Sequence, residues 1–447
     1  MGRTRSEIDH ILEEALGLST GDATELVFLG TRDVTTRFAE SRIHQHMSAS
    51  DERLVIRLHR EGRIAVTATN DLSTSGLRQA LATAADIAGF LEPVEPALGI
   101  VQSPAASAAV AYDESTDTAD AALRAGMVER IVAAANAEKV QAAGLLRLTT
   151  NTTAVANSAG TRQFHAETVA ELSISASDDA VLGQGWSTGI SHRLADLDAE
   201  ALARIAVGKA VRSRNPVAIP PGEYTVILEP AAVGQLLLFL GFLAFSGKSF
   251  AQGRGVLSGR IGETVTGANI TIHEDPFLPE FAGMPFDYEG VPKKPVVLIE
   301  NGVARGVVHD RASAVMAGTE STGHALPPDN ARGPYPKNLT LLPGDSTLDG
   351  MIAATPRGLL ITHFWYVNYL NPMKAQVSAT TRDGTFLIEN GSITQPVQNV
   401  RVTPAILEAL ARVEAIGKER ILYPQYSAVM SVPAVKMAQV VVSGDDE

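Results

Sequence analysis

Several stretches of this 447-residue chain hold residue types that could do chemistry. Gly185-Trp186-Ser187-Thr188-Gly189 fits the G-x-S-x-G string of a nucleophile elbow, in which a serine sits on a sharp turn between an apolar strand and a helix. Here the preceding Ser177-Asp178-Asp179-Ala180 is polar and no helix follows at once, so a loop is expected. Gly247-Lys248-Ser249 ends like a phosphate-binding loop, but the first glycine of such a loop would fall at Phe242, and the segment follows an apolar run instead of a strand. His44 and His46 share a face if they lie on a strand. A hairpin closing around Ala49 and Ser50 would set them opposite Ile56 and Leu54, which offer no further metal ligands. In His273-Glu274-Asp275, adjacent strand residues would point to opposite faces. Asp287 and Glu289 share a face, and the pair could hold a hard cation or a peptide amine, or simply form an acidic turn beside Gly290. Arg382-Asp383-Gly384 reads as a hairpin turn, and Trp365, Tyr366 and Tyr369, following His363, read as core or interface packing.

The elements that must position these residues point to an α+β protein. A mixed α/β N-terminal region is followed by a largely antiparallel β C-terminal domain with one buried apolar helix. Strands are expected over 25–30, 34–40, 42–48, 53–59 and 63–69, with alternation of Leu54, Ile56 and Leu58 marking a half-buried sheet. Helical spacing follows over 74–91, 119–137 and 199–211. A Pro/Ala/Ser-rich stretch reads as a linker, dividing the chain into residues 1–92, a linker at 93–117, a second α/β unit at 118–215 and a β-rich unit at 216–447. In the last unit, the run 231–245 is apolar nearly all round and should be buried. The string LIENG occurs at 298–302 and again at 387–391, with Asn-Gly as a hairpin signal each time. A final helix is expected near 405–416, before a closing strand at 434–442.

Charge and composition narrow the function classes. Lys and Arg total 37 against 50 Asp and Glu, a net charge of −13, which argues against broad contact with nucleic acid or anionic lipid. The chain has no cysteine, so disulfides, thiolate metal sites and cysteine nucleophiles are excluded together. The charged start MGRTRSEIDH has no signal-peptide core. The longest apolar stretch, Leu236 to Phe245, is too short to span a bilayer. A cytoplasmic location without membrane or nucleic-acid partners is expected.

Several phrases, in order, resemble a known family. They are Thr36-Arg37-Phe38-Ala39 with Arg42-Ile43-His44-Gln45, then Gly62-Arg63 through Ala68-Thr69-Asn70-Asp71-Leu72, then Phe286-Asp287-Tyr288-Glu289-Gly290-Val291-Pro292. Ile299-Glu300-Asn301-Gly302, Ser321-Thr322-Gly323, Leu387-Ile388-Glu389-Asn390-Gly391 and Pro396-Val397 continue it. From about residue 24 to 440 the chain is similar to the TldD/PmbA (TldD/TldE) family, also called modulators of DNA gyrase.

The resemblance implies a two-subunit cytoplasmic metalloprotease. Its TldD subunit carries H-E-x-x-x-H on a helix and a cysteine near the C-terminus; its TldE (PmbA) subunit has the same fold without that motif. Two histidines near one turn apart can reach one ion, and the glutamate can activate its water. On that register this chain reads Pro230-Ala231-Ala232-Val233-Gly234-Gln235, with Pro230, Ala231 and Gln235 at the positions of the first histidine, the glutamate and the second histidine. The resemblance therefore implies a non-catalytic, TldE-like chain with no metal or other cofactor of its own, zinc being expected in a TldD-like catalytic partner. Peptide contacts are expected at Asp287, Glu289, Thr322, Gly323 and His324. The alternatives are a homo-oligomeric peptide-binding module, consistent with a homodimer when the chain is alone, and an independent hydrolase with a different metal site, at His44 and His46 or at Asp287 and Glu289.

Overall fold

Alternation along a few very long strands decides how the N-terminal half folds. The structure, a computed structural model, describes residues 3–94, 98–106, 111–426 and 428–444. Helix α1 (Arg5–Leu18) is opened by a capping box between Thr4 and Glu7. Strands β1 (Ala23–Ala39) and β2 (Arg42–Arg60) are then each continuous, where the sequence suggested two shorter strands apiece. Their hairpin turns at Glu40-Ser41, both in the left-handed region, and not at Ala49-Ser50. The expected turn at Ala49-Ser50 instead pairs with β1 as part of the polar run 44–51, where main-chain bonds hold it whatever its side chains. His46 accordingly lies opposite Thr36, and His44 falls at a bulge.

Strand β3 (Arg63–Thr69), helix α2 (Thr74–Phe90), the short helix α3 (Glu114–Asp117) and helix α4 (Ala121–Ala137) follow. Strands β4 (Gln141–Asn157), β5 (Arg162–Asp178) and β6 (Gly183–Ser191) and helix α5 (Ala199–Arg212) complete this half. The six strands form one antiparallel sheet in the order β3-β2-β1-β4-β5-β6, so the pairing of β1 with β4 joins the segments on either side of the Pro/Ala/Ser stretch. Residues 95–97 and 107–110 of that stretch lie outside the described residues. One face carries Leu26, Phe28, Leu54, Ile56, Leu146, Leu148 and Leu172, and α1, α2, α4 and α5 cover it. The opposite face is mixed: Glu25, Arg57, His59, Asn151, Glu167 and Glu171 alternate with that apolar set, and among them Val27, Val55 and Val155 pack on Phe286 of the C-terminal half.

The C-terminal half is built on a mixed sheet. Its strands are β7 (Gly222–Leu228), β8 (Ile272–Glu274), β9 (Val296–Glu300), β10 (Val303–Ala304), β11 (Leu339–Leu341), β12 (Arg357–Asn371), β13 (Gln376–Glu389), β14 (Ser392–Val397), β15 (Val400–Val402), β16 (Val413–Gln425) and β17 (Ala428–Gly444). Strand β7 pairs in parallel with β12 and antiparallel with β17, closing a ring β17-β15-β13-β12-β7. Helix α6 (Pro230–Leu243) packs against β12, β16 and β17, and residues Ala231 through Leu238 are all buried, as an all-apolar helix requires. The helix expected near 405–416 is only Ile406–Leu410; Val413 onward pairs with β17, whose ladder overrides local helical spacing. Among the described residues no helix is long and apolar enough to cross a membrane.

Candidate functional site

The start of α6 is where the family resemblance would put metal chemistry. Pro230 stands at the first helical turn, a position that needs no backbone N–H. The preceding Glu229 pairs with Lys209 of α5 at 2.6 Å. Ala231 is buried, and a Cβ at Gly234 would strike the Tyr423 ring at 2.5 Å, so the helix sits tight on β16. The Oε1 atom of Gln235 accepts the backbone N–H of Phe364 at 2.9 Å. These residues do not fit a metal ion. Pro230 and Ala231 have no donor atoms, and the one Gln235 offers is committed to the backbone. Among the described residues no group of three or more His, Cys, Asp or Glu side chains is arranged to hold a metal.

What surrounds Gln235 is an aromatic groove of about 410 Å³. Trp186 reaches it from β6 and stacks flat on His363, with ring centroids 4.3 Å apart and planes at 9°. His363 Nδ1 lies 2.8 Å from Asp383 Oδ2, and Trp186 Nε1 donates to Ser173 at 3.0 Å. Tyr423 is buried at the base, where burial pushes its hydroxyl pKa well up. Trp365, Tyr366 and Tyr426 line the groove too, and Tyr366 is 75% exposed. The aromatic run after His363 is therefore surface, not core. Gly185–Gly189 is neither loop nor nucleophile elbow: it lies within β6, and Ser187 is buried, donating to Leu202 O at 2.8 Å.

Asp287, Glu289 and the segment 322–324 gather where the N-terminal sheet meets the C-terminal half, whereas His46 and Lys248 lie elsewhere. Asp287 Oδ1 accepts from the N–H groups of Glu289 and Val291, and Oδ2 from Ala325, each at 2.9 Å. Burial, and then the Glu289 carboxylate, push Asp287 up to about 7 against those donors. Glu289 accepts from Arg57 at 2.9 Å and from the Arg311 backbone N–H at 3.0 Å. Arg57 also reaches Glu25 at 3.1 Å, and Arg311 bonds Glu25 as well. Burial opposes ionisation of Glu25, yet the bond to His59 and the Arg311 and Arg57 guanidiniums outweigh it and hold the carboxyl at about 2. Glu289 is thus a buried fastener between the two halves, while Asp287 braces the loop that carries it, and the oxygens of both are turned to interior partners.

Thr322, Gly323 and His324 lie beside this fastening. Thr322 Oγ1 is 2.9 Å from His324 Nδ1, and a Cβ at Gly323, whose φ is +75°, would meet Pro292 O at 2.5 Å. His324 Nε2 is 3.3 Å from Glu274 Oε1, but off line for a hydrogen bond; burial lowers the His324 pKa. His46 Nδ1 lies 2.9 Å from Thr36 Oγ1 and brings no second ligand with it. Lys248 sits on the short helix Gly247–Ala251 and donates to Ala331 O at 2.6 Å. Sequence reasoning missed Trp186 and Tyr423 in the groove, and Glu25, Arg57 and Arg311 in the fastening. The alternation of charged Glu25, Arg57 and His59 opposite an apolar face was the available signal for the latter.

Three family models match nearly the whole chain: PmbA/TldA metallopeptidase domain 1 at 24–88, the central domain at 103–214 and the C-terminal domain at 221–444. A metalloprotease TldD homolog of Haemophilus influenzae is 29% identical over 225 residues, 50% of this chain and 46% of that protein. The chain thus matches about half the length of the first such relatives. Metalloprotease PmbA of Escherichia coli O157:H7 is 23% identical over 448 residues, 93% of this chain and 92% of that one. In fold, the crystal structure of TldE from Thermococcus kodakarensis superimposes with a TM-score of 0.89 at 23% identity, covering 98% of this chain and all of that one. On these matches, this chain belongs to the PmbA/TldD metallopeptidase family.

Proposed function

We propose that this chain is a TldE-like, non-catalytic subunit of a two-subunit metalloprotease, and that it completes the peptide cleft of a metal-bearing, TldD-like partner. The observation that carries the reading is the chemistry of α6. Pro230 and Ala231 lack donor atoms, and Gln235 is committed to the Phe364 backbone. Four absent groups, counting the cysteine that the sequence lacks, leave no ligand set to rebuild by one side-chain rotation. The likeness in fold to the Thermococcus TldE supports the same reading. So does the aromatic groove at Gln235, where exposed Trp365, Tyr366 and Tyr426 offer apolar area for a partner or an extended peptide.

The test is reconstitution. The purified chain is assayed for zinc by elemental analysis and for cleavage of an unstructured peptide, alone and mixed with a TldD-type subunit. Substoichiometric metal and no cleavage alone, with cleavage raised in the mixture, is the expected result. A full equivalent of zinc with chelator-sensitive cleavage by the chain alone would overturn it.

A further inference from the structure

A cavity of about 500 Å³ lies between the mixed face of the N-terminal sheet and the C-terminal half, apart from the Gln235 groove except for Tyr426, which borders both. Most charged groups in its wall are already answered. Arg53 pairs with Asp329, Arg147 with Asp33, and Glu280 with Arg420. Lys337 donates to the Tyr288 hydroxyl at 3.3 Å and rests on its ring. Glu167 accepts from Asn151 at 3.0 Å, faces His165 at 3.4 Å and feels the Lys337 charge. Asp51 is exposed. Lys293 is the exception: it lines the cavity, is only 8% exposed, and its ammonium makes no hydrogen bond or ion pair among the described residues.

A buried cation without a partner costs stability, and in a wall this polar it marks a place for an anion. We propose that the cavity binds a free α-carboxylate, with Lys293 as its counter-ion. A monoanion matches the single uncommitted cation, whereas a dianionic phosphate would leave excess negative charge beside Glu167. The far end of the wall suits the other terminus of such a ligand. Glu171 makes no ion pair among the described residues, burial raises its pKa against the charge of Arg147 across the ladder, and it lies four residues along β5 from Glu167, about 13 Å at strand spacing. An extended peptide of about four residues spans the stretch from Glu167, which is close enough to act on the Lys293 charge, to Glu171. The ligand class is therefore a short zwitterionic peptide, its carboxylate at Lys293 and its amine toward Glu171; a free amino acid shares the carboxylate chemistry. Burial pulls Lys293 down to about 8, with Glu274, Asp287 and Glu167 favouring its charge and Lys337 opposing it, so a bound carboxylate finds it protonated at neutral pH.

The site goes beyond the subunit reading and does not depend on it, because the probes are offered to the chain alone. Calorimetric titration compares tetra-alanine, tetra-alanine amide and free alanine. The amide should bind about tenfold or more weakly than the free acid, and Lys293→Met should bring the free acid down to the amide's level. Equal binding of the acid and the amide, no binding of either, or full binding by Lys293→Met overturns the proposal. Should Lys293→Met fail to fold, the acid-against-amide comparison on the unaltered chain still decides. Free alanine bound as tightly as tetra-alanine assigns the site to amino acids; weaker binding assigns it to peptide ends.

Discussion

Gln235 on α6 holds the backbone of Phe364 on β12, Oε1 to N at 2.9 Å, at the position where the active family subunit would present a histidine to its metal. The residue there is polar, but it serves a structural bond between helix and strand. Gln235→Ala leaves the Phe364 N–H buried and unanswered, and should lower stability by about 1–3 kcal/mol in urea unfolding. Gln235→His alone should recruit no zinc, because Pro230 and Ala231 still offer no ligand; stoichiometric zinc in that variant would contradict this account.

The fastening between the two halves makes a second prediction. Arg311 is shared by Glu25 and Glu289, so Arg311→Met leaves the two buried carboxylates to divide Arg57 between them, with His59 as the other neighbour of Glu25. A loss of about 3–5 kcal/mol is expected from denaturant midpoints. Hydrogen exchange should rise first where β1 and β2 meet residues 286–293. A loss below about 1 kcal/mol, the range of exposed pairs, would show that the network carries little of the docking.

Acid should act through Glu25. Its folded-state pKa, about 2, lies below the ordinary value of 4.5, so its contribution to stability is full above about pH 5. It is lost as pH falls toward 2, amounting to about 3 kcal/mol for a shift of this size. Glu25→Gln should flatten that acid limb. Asp287 has the opposite sign: raised from 3.8 to about 7, it binds its proton more tightly when folded, so its contribution weakens as pH rises from about 4 to 7 and is level above that. Stability measured against pH in both backgrounds separates the two.

Both tryptophans of the chain, Trp186 and Trp365, line the groove at Gln235, so intrinsic fluorescence reports on that groove alone. Trp365 is 48% exposed and should move to shorter emission wavelength when a TldD-type subunit covers it. A complex seen by gel filtration with unchanged emission would place the partner elsewhere.

Ser187→Ala is the control for the G-x-S-x-G string. Its hydroxyl donates to Leu202 O from within a strand, so the variant should cost about 1 kcal/mol and leave peptide cleavage by the reconstituted pair unchanged. A large loss of cleavage with stability intact would restore the nucleophile reading.

The sequence by itself determined what depends on residue type and local period. It showed the alternation of Leu54, Ile56 and Leu58, an apolar helix expected at 231–245 and found at 230–243, the absence of cysteine, and the loss of donors at Pro230 and Ala231. Those follow from side-chain chemistry and from the fixed periods of strand and helix. Tertiary structure decided what depends on which strands pair. It ran β2 straight through the polar stretch at 44–51, because a ladder of main-chain bonds tolerates polar side chains on both faces. Folding also brought Glu25 and Arg57 to Glu289 and Arg311, and carried Trp186 from one half onto His363 of the other. No local pattern encodes such meetings. They arise because the polar residues on one face of a sheet need partners, and only the closed fold supplies them.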